Sequence, residues 1–294
     1  MKICRFTRND DAAATPRLGL LEGDVVCDVT AATDVLPPLA WPLVPGDHLI
    51  ANLDAVRARI EAIRGDAPTL ARGDVKLLSP VANPAKFVCG AGNWKHFGAP
   101  FGMIGFMGKA TTSLSGEGDG IQIAWPDRET VHEPELCVVI GRQGRNISEA
   151  DALDYVAGYA CAFDTTLKPE REDWAFCKAF DTYGTIGPCL VTADEIPDPD
   201  VLAYEFRVNG ELRGTRKFAN LAGSPAKMIA FASSAMTLYP GDLILSGAAD
   251  VAPIAIGDRL ELTIPEIGTL TCAVVRSAYA REQAWPLVPP GPEV

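Results

Sequence analysis

His132-Glu133-Pro134-Glu135-Leu136-Cys137-Val138-Val139-Ile140-Gly141 joins two carboxylates to an uninterrupted apolar run. The run reads as a buried strand. Side chains two apart on a strand share a face, so Glu133 and Glu135 would converge on one spot. Two carboxylates removed from water together repel each other and lose hydration, which calls for a proton or a cation between them. The alternative is a strand that starts at Leu136 and leaves both glutamates in a solvated turn, and the triplet alone does not separate the two. Asp164 adds a further acid after a second apolar run, Val156 to Phe163. Three hard oxygen donors, with no His-x-x-x-His or Cys pair nearby, suit Mg²⁺ or Mn²⁺ over zinc, with Ca²⁺ a third candidate.

The surrounding chain is long enough to support such a site. It has 294 residues, 48% of them hydrophobic, which allows a sizeable core in one large domain or a large and a small one. Lys and Arg total 26 against 38 Asp and Glu, a formal charge of -12. That charge repels phosphate backbones, so no nucleic-acid partner is expected. No apolar segment approaches a membrane span, and the start lacks the apolar stretch of a signal peptide. Eight cysteines occur without a CxxC pair; they read as small buried hydrophobes in a reduced, cytoplasmic protein.

Residues 1–35 read as a small β unit, with Ile3–Phe6, Arg17–Leu21 and Val25–Val29 as strands around the Glu22-Gly23-Asp24 turn. A Pro-rich stretch then leads to a helical pattern at Leu53, Val56, Ile60 and Ile63, closed by Gly65 and Pro68. Asp66–Asp74 reads as a linker, dividing a small α/β N-terminal domain (1–74) from a larger one (75–294). In the larger unit Ser148-Glu149-Ala150-Asp151 resembles a capping box, predicting a helix from Ala152. Asn209-Gly210 predicts a hairpin turn, and Ser224-Pro225 predicts the start of a helix. Leu243–Leu245, Arg259–Ile264 and Thr269–Val275 are strand-like.

The order of several segments resembles the fumarylacetoacetate hydrolase family over roughly residues 80–275. These segments are Phe87–Trp94, Phe106–Lys109 with Thr112-Ser113, the Glu133-Glu135 strand, Ala152–Tyr159, Asp164, Lys178–Gly184, Val208–Leu212 and Pro240–Ile244. The resemblance implies an α+β fold, a β-rich roll with flanking helices, that is usually dimeric. It implies that Glu133, Glu135 and Asp164 are metal ligands, that Lys178 is the active-site lysine, and that glycine-rich residues 89–110 form a lid. It also implies an oxo acid or 1,3-dicarbonyl substrate, chelated by the metal and cleaved through an enolate.

The pattern departs from the family around the water-activating pair. His96 stands where a lid histidine is expected, but the residue three positions on is Ala99 and not glutamate; His132 is a second candidate base. Lys168 replaces an arginine, and Gly247-Ala248-Ala249 replaces a Gly-Thr-Pro turn. The leading expectation is metal-dependent hydrolysis of a C–C bond in an acylpyruvate-like 2-oxo acid, with His96 as base. Isomerisation or lyase chemistry on an oxo acid is the alternative, since it needs the enolate-stabilising groups alone. A catalytically reduced metal-binding relative is the third.

Overall fold

The Pro134–Ile140 strand is buried at every position, as is its antiparallel neighbour Val156–Asp164. Both faces are covered, which explains continuous apolar runs in place of an alternating pattern. The structure, a computed structural model, describes residues 1–170 and 172–282.

From this central pair a large mixed sheet extends both ways. On one side Val156–Asp164 pairs with Gly184–Thr192, which pairs with Lys2–Arg8; Arg17–Glu22, Val25–Asp28 and Thr69–Ala71 follow. On the other side Pro134–Ile140 pairs with Leu243–Leu245, then Phe87–Gly90 and Phe106–Gly108. A second sheet contains Glu211–Lys217, Ala203–Val208, Arg259–Ile264, Gly268–Arg276 and Ile121–Ile123. Ala203–Val208 and Arg259–Ile264 alternate between buried and partly exposed residues, because only one face meets the core. Phe206, Leu260 and Leu262 from that face join Val138, Tyr159 and Phe163 in one apolar cluster. This β-rich architecture with few helices agrees with the expected fold.

Local signals produce the expected elements in several places. Asn209 and Gly210 have φ values of 53° and 81°, as a two-residue hairpin turn requires. Ser224 Oγ accepts the Lys227 N–H at 3.3 Å and caps the Pro225–Ala235 helix. The Leu53–Ile63 helix buries Val56 and Ile60 against Ile3, Leu18, Leu20 and Cys27. These contacts give residues 1–74 a small core of their own. The sheet nevertheless crosses position 75: Arg5 is opposite Leu78 and Arg8 opposite Val75. The cores are also only partly separate, since Cys4, Phe6, Leu21 and Val26 join Leu77, Val88 and Val138 in the main apolar cluster; residues 171 and 283–294 of the larger unit lie outside the described residues.

Two expectations need correction. The supposed linker contains the Thr69–Ala71 strand, paired with Val25–Cys27 through contacts distant in sequence. The Ser148–Asp151 signal produces one 3-10 turn, Ala152–Tyr155, instead of an α-helix. Strands on both sides claim the backbone from Val156 onward, and Gly158 permits that fit, since a Cβ there would lie 2.1 Å from Val191 O. Among the described residues no helix is long and apolar enough to cross a membrane.

Candidate metal centre

Glu133 and Glu135 flank Pro134 at the start of the central strand, and Asp164 ends the neighbouring one. The Asp164 N–H donates to Glu133 O at 2.9 Å, fixing the strand ends side by side. One carboxylate oxygen from each of Glu133, Glu135 and Asp164 lies within 4.8 Å of the others. Glu135 and Asp164 are buried and Glu133 is partly so. The two glutamates therefore share a face, and the solvated-turn alternative fails.

Two buried ammonium groups face the cluster. Lys178 follows the short Trp174–Cys177 helix, which Asp173 caps through the Ala175 N–H. Its Nζ donates to Asp164 Oδ2 at 2.6 Å, to Thr166 Oγ1 at 2.8 Å and to both Glu133 oxygens at 3.2 Å. Lys109 Nζ donates to the other Asp164 oxygen, Oδ1, at 2.6 Å. Thr166 Oγ1 donates to Glu133 Oε1 at 2.7 Å. The Gly247 N–H donates to Glu135 Oε2, whereas Glu135 Oε1 is buried with no hydrogen-bond partner.

These contacts polarise the three acids differently. Burial opposes ionisation of Asp164, but Lys109 and Lys178 outweigh it and hold the carboxyl down to about 2. Burial and the Asp164 charge push Glu133 up. Burial, reinforced by Asp164 and Glu133, pushes Glu135 well above the carboxylate range. If all three were ionised, the carboxylates would outnumber the two ammonium groups by one, and in the absence of a cation that charge is relieved by the proton Glu135 retains. An unpartnered buried oxygen and two carboxylates strained by proximity are what a divalent cation would relieve, and an all-oxygen donor set suits a hard one. The residues present fit such a group.

A cavity of about 560 Å³ opens above Glu133, Asp164 and Lys178. Phe97, Ile104, Met107, Val131, Trp174 and Val251 make its walls largely apolar. The segment expected to form a lid is attached by Asn93, whose amide donates to Gly223 O and Ser246 O, and by Phe101, which packs on Phe106 and Phe231. His96 lies exposed on a 3-10 turn, beside Phe97 but not among the lining residues. His132 is buried against Phe206, and burial lowers its imidazole to about 4, making it a poor proton acceptor. Lys168 lines the cavity, paired with Glu129 at 2.8 Å.

Residues 83–275 match the model of the fumarylacetoacetate (FAA) hydrolase C-terminal domain. The chain belongs to the fumarylacetoacetate hydrolase family. It is 41% identical to a maleylpyruvate hydrolase of Aquipseudomonas alcaligenes, over 93% of this chain and 99% of that protein. It is 31% identical to a mitochondrial oxaloacetate tautomerase of Xenopus laevis, over 94% and 90% of the two chains. The crystal structure of maleylpyruvate hydrolase from Sphingobium sp. SYK-6, in complex with manganese(II) and pyruvate, superposes with a TM-score of 0.80 at 33% identity, covering 94% of this chain and all of that one.

Within this fumarylacetoacetate hydrolase relative, sequence reasoning misses Lys109, Thr166 and Gly247. Lys109 carried one signal, a lone lysine closing the apolar Phe106–Gly108 strand, where burial demands a counter-charge. Thr166 and the Gly247 amide carried none, because their partners are far away in sequence.

Proposed function

We propose that this protein is a divalent-metal-dependent hydrolase that cleaves the C–C bond of an acylpyruvate-like 2-oxo acid, with Glu133, Glu135 and Asp164 holding Mg²⁺ or Mn²⁺. The observation that carries this reading is the buried carboxylate triad with Lys178 at the floor of an apolar cavity, in a chain 41% identical to a maleylpyruvate hydrolase. A cation held there would supply a Lewis acid for the substrate's oxo and carboxylate oxygens.

The chain's own groups supply the rest. Lys178 places a fixed ammonium where negative charge develops as the C–C bond breaks. Thr166 and Asp164 hold that ammonium in place. The apolar walls exclude water and so strengthen each of these interactions. His96, brought inward with Phe97 as the lid closes, would take a proton from the attacking water. The reading includes a cytoplasmic homodimer. Eight buried, free cysteines suit a reducing compartment.

The test is to incubate the Mn²⁺-loaded protein with maleylpyruvate in ¹⁸O water. Release of pyruvate together with maleate that carries one solvent oxygen in its new carboxylate supports hydrolysis, and no cleavage with Mn²⁺ or, in a parallel sample, Mg²⁺ would overturn it. A tautomerase reading is second, favoured by Ala99 where glutamate is expected and by the outward position of His96. Fast solvent deuterium exchange at the acidic carbon of oxaloacetate, without cleavage of any acylpyruvate, would select it. Light scattering of the purified protein tests the dimer.

A further inference from the structure

We infer that Lys109 is a positioning residue that makes Asp164 a one-oxygen ligand and so selects a small octahedral cation over Ca²⁺. The inference rests on the metal-centre reading above. Asp164 has each oxygen engaged by a different ammonium group: Lys109 on Oδ1 and Lys178 on Oδ2, each at 2.6 Å. The two lysines are not equivalent. Lys178 also donates to both oxygens of Glu133, so Oδ2 is the oxygen that faces the other carboxylates. Lys109 touches neither glutamate; its second contact is Thr165 O at 3.5 Å, and its side chain is fully buried. It therefore stands behind the site, away from the cavity wall.

This placement has a coordination consequence. Ca²⁺ takes six to eight oxygens and gains most from carboxylates that offer two. Mg²⁺ and Mn²⁺ are satisfied by one oxygen from each carboxylate, with the remaining octahedral positions open to water or substrate. With Oδ1 committed to a buried ammonium, Asp164 cannot turn to offer both oxygens without leaving Lys109 unpaired in the interior, a costly state. The lysine charge, close behind the cluster, also lowers the affinity for any cation and keeps the site from becoming a sink. Position 109 directly follows the Phe106–Gly108 strand that closes the lid segment, and its N–H is fixed by Phe87 O at 2.8 Å. Although position 109 falls inside the expected lid span 89–110, its backbone is held to the large sheet through Phe87 and the pairing of Phe106–Gly108 with Val88–Gly90.

The experiment is calorimetric titration of the metal-free full-length protein with Mg²⁺, Mn²⁺ and Ca²⁺, repeated on Lys109→Met and Lys109→Gln. The unmodified protein should prefer Mg²⁺ and Mn²⁺ to Ca²⁺ by about tenfold or more, the scale on which groups behind a metal's ligands act. In whichever variant folds, Ca²⁺ affinity should rise and that preference shrink by about tenfold. If the unmodified protein binds Ca²⁺ as tightly as Mg²⁺, or if either folded variant keeps the original preference, the inference is overturned while the metal centre stands. If the unmodified protein binds none of the three ions, the metal centre itself is overturned, and this inference falls with it.

Discussion

The backbone N–H of Gly247 donates to Glu135 Oε2 at 2.5 Å, across 112 positions of sequence, and is the one polar contact of that buried carboxylate among the described residues. Gly247 has a φ of 88°, and a Cβ there would lie 2.4 Å from Gly90 O. Gly247→Ala should therefore destabilise the protein by about 2 kcal/mol or more and weaken metal binding by roughly tenfold through the displaced amide. Urea denaturation and a Mn²⁺ titration measure both. Unchanged affinity would show that this amide does not hold the ligand.

Divalent cations should stabilise the fold in a way that depends on Glu135. Mg²⁺ or Mn²⁺ at about one hundred times its dissociation constant should add about 2.7 kcal/mol to unfolding, and a chelator should remove the gain. Glu135→Gln keeps the shape but removes the charge, and should abolish most of the response. Thermal melts with and without metal decide; an equal response in the variant would remove Glu135 from the ligand set.

His96 and Ala99 test the lid's part in water activation. His96→Ala should reduce acylpyruvate hydrolysis by about 10² to 10⁴-fold, the usual worth of a general base, with metal affinity unchanged. Ala99→Glu should raise the hydrolytic rate if the new carboxylate can orient the imidazole. A full rate in His96→Ala would show that water is activated by another group.

Asn93 should govern how firmly the lid is hinged. Its side chain donates to Gly223 O and Ser246 O and accepts the Gly223 N–H at 2.7 Å. Asn93→Ala leaves these buried groups unpaired and should destabilise the protein by about 2 kcal/mol. Limited proteolysis should cut the variant faster between residues 94 and 106. Equal cleavage would mean that the Phe101, Phe106 and Phe231 contacts hold the lid alone.

What was legible in the sequence was local. The strand from Pro134, the hairpin at Asn209-Gly210, the Ser224 cap and the face of the Leu53–Ile63 helix each follow from periodicity or turn chemistry over a few residues. The carboxylate pair was legible because two-residue spacing on a strand sets its geometry. Sequence patterns misled where tertiary pairing overrode them: the Ala152–Tyr155 turn yields to a strand held on both sides, and Thr69–Ala71 becomes a strand because Val25–Cys27 offers it an edge. Lys109 and Gly247 reach the centre from chain segments 55 and 112 positions away from the acids they bind, so local pattern offered at most a lone lysine after Phe106–Gly108 and nothing about its partner.

The pairing of Lys2 with Val191 and Ile3 with Leu190 has a consequence for how the protein is made. Val75–Leu78 covers the Arg5–Arg8 end of the opening strand early, yet the partner of Lys2 and Ile3 exists only after residue 191 has been synthesised. The same late strand completes the ladder beside Val156–Asp164, where Asp164 is opposite Gly184. Because such distant pairing must meet its loop-closure entropy before any contact forms, folding is expected to be slow and to depend on late events. During synthesis the nascent chain carries an unpaired edge, open to other chains, and the carboxylate centre is among the last parts to assemble.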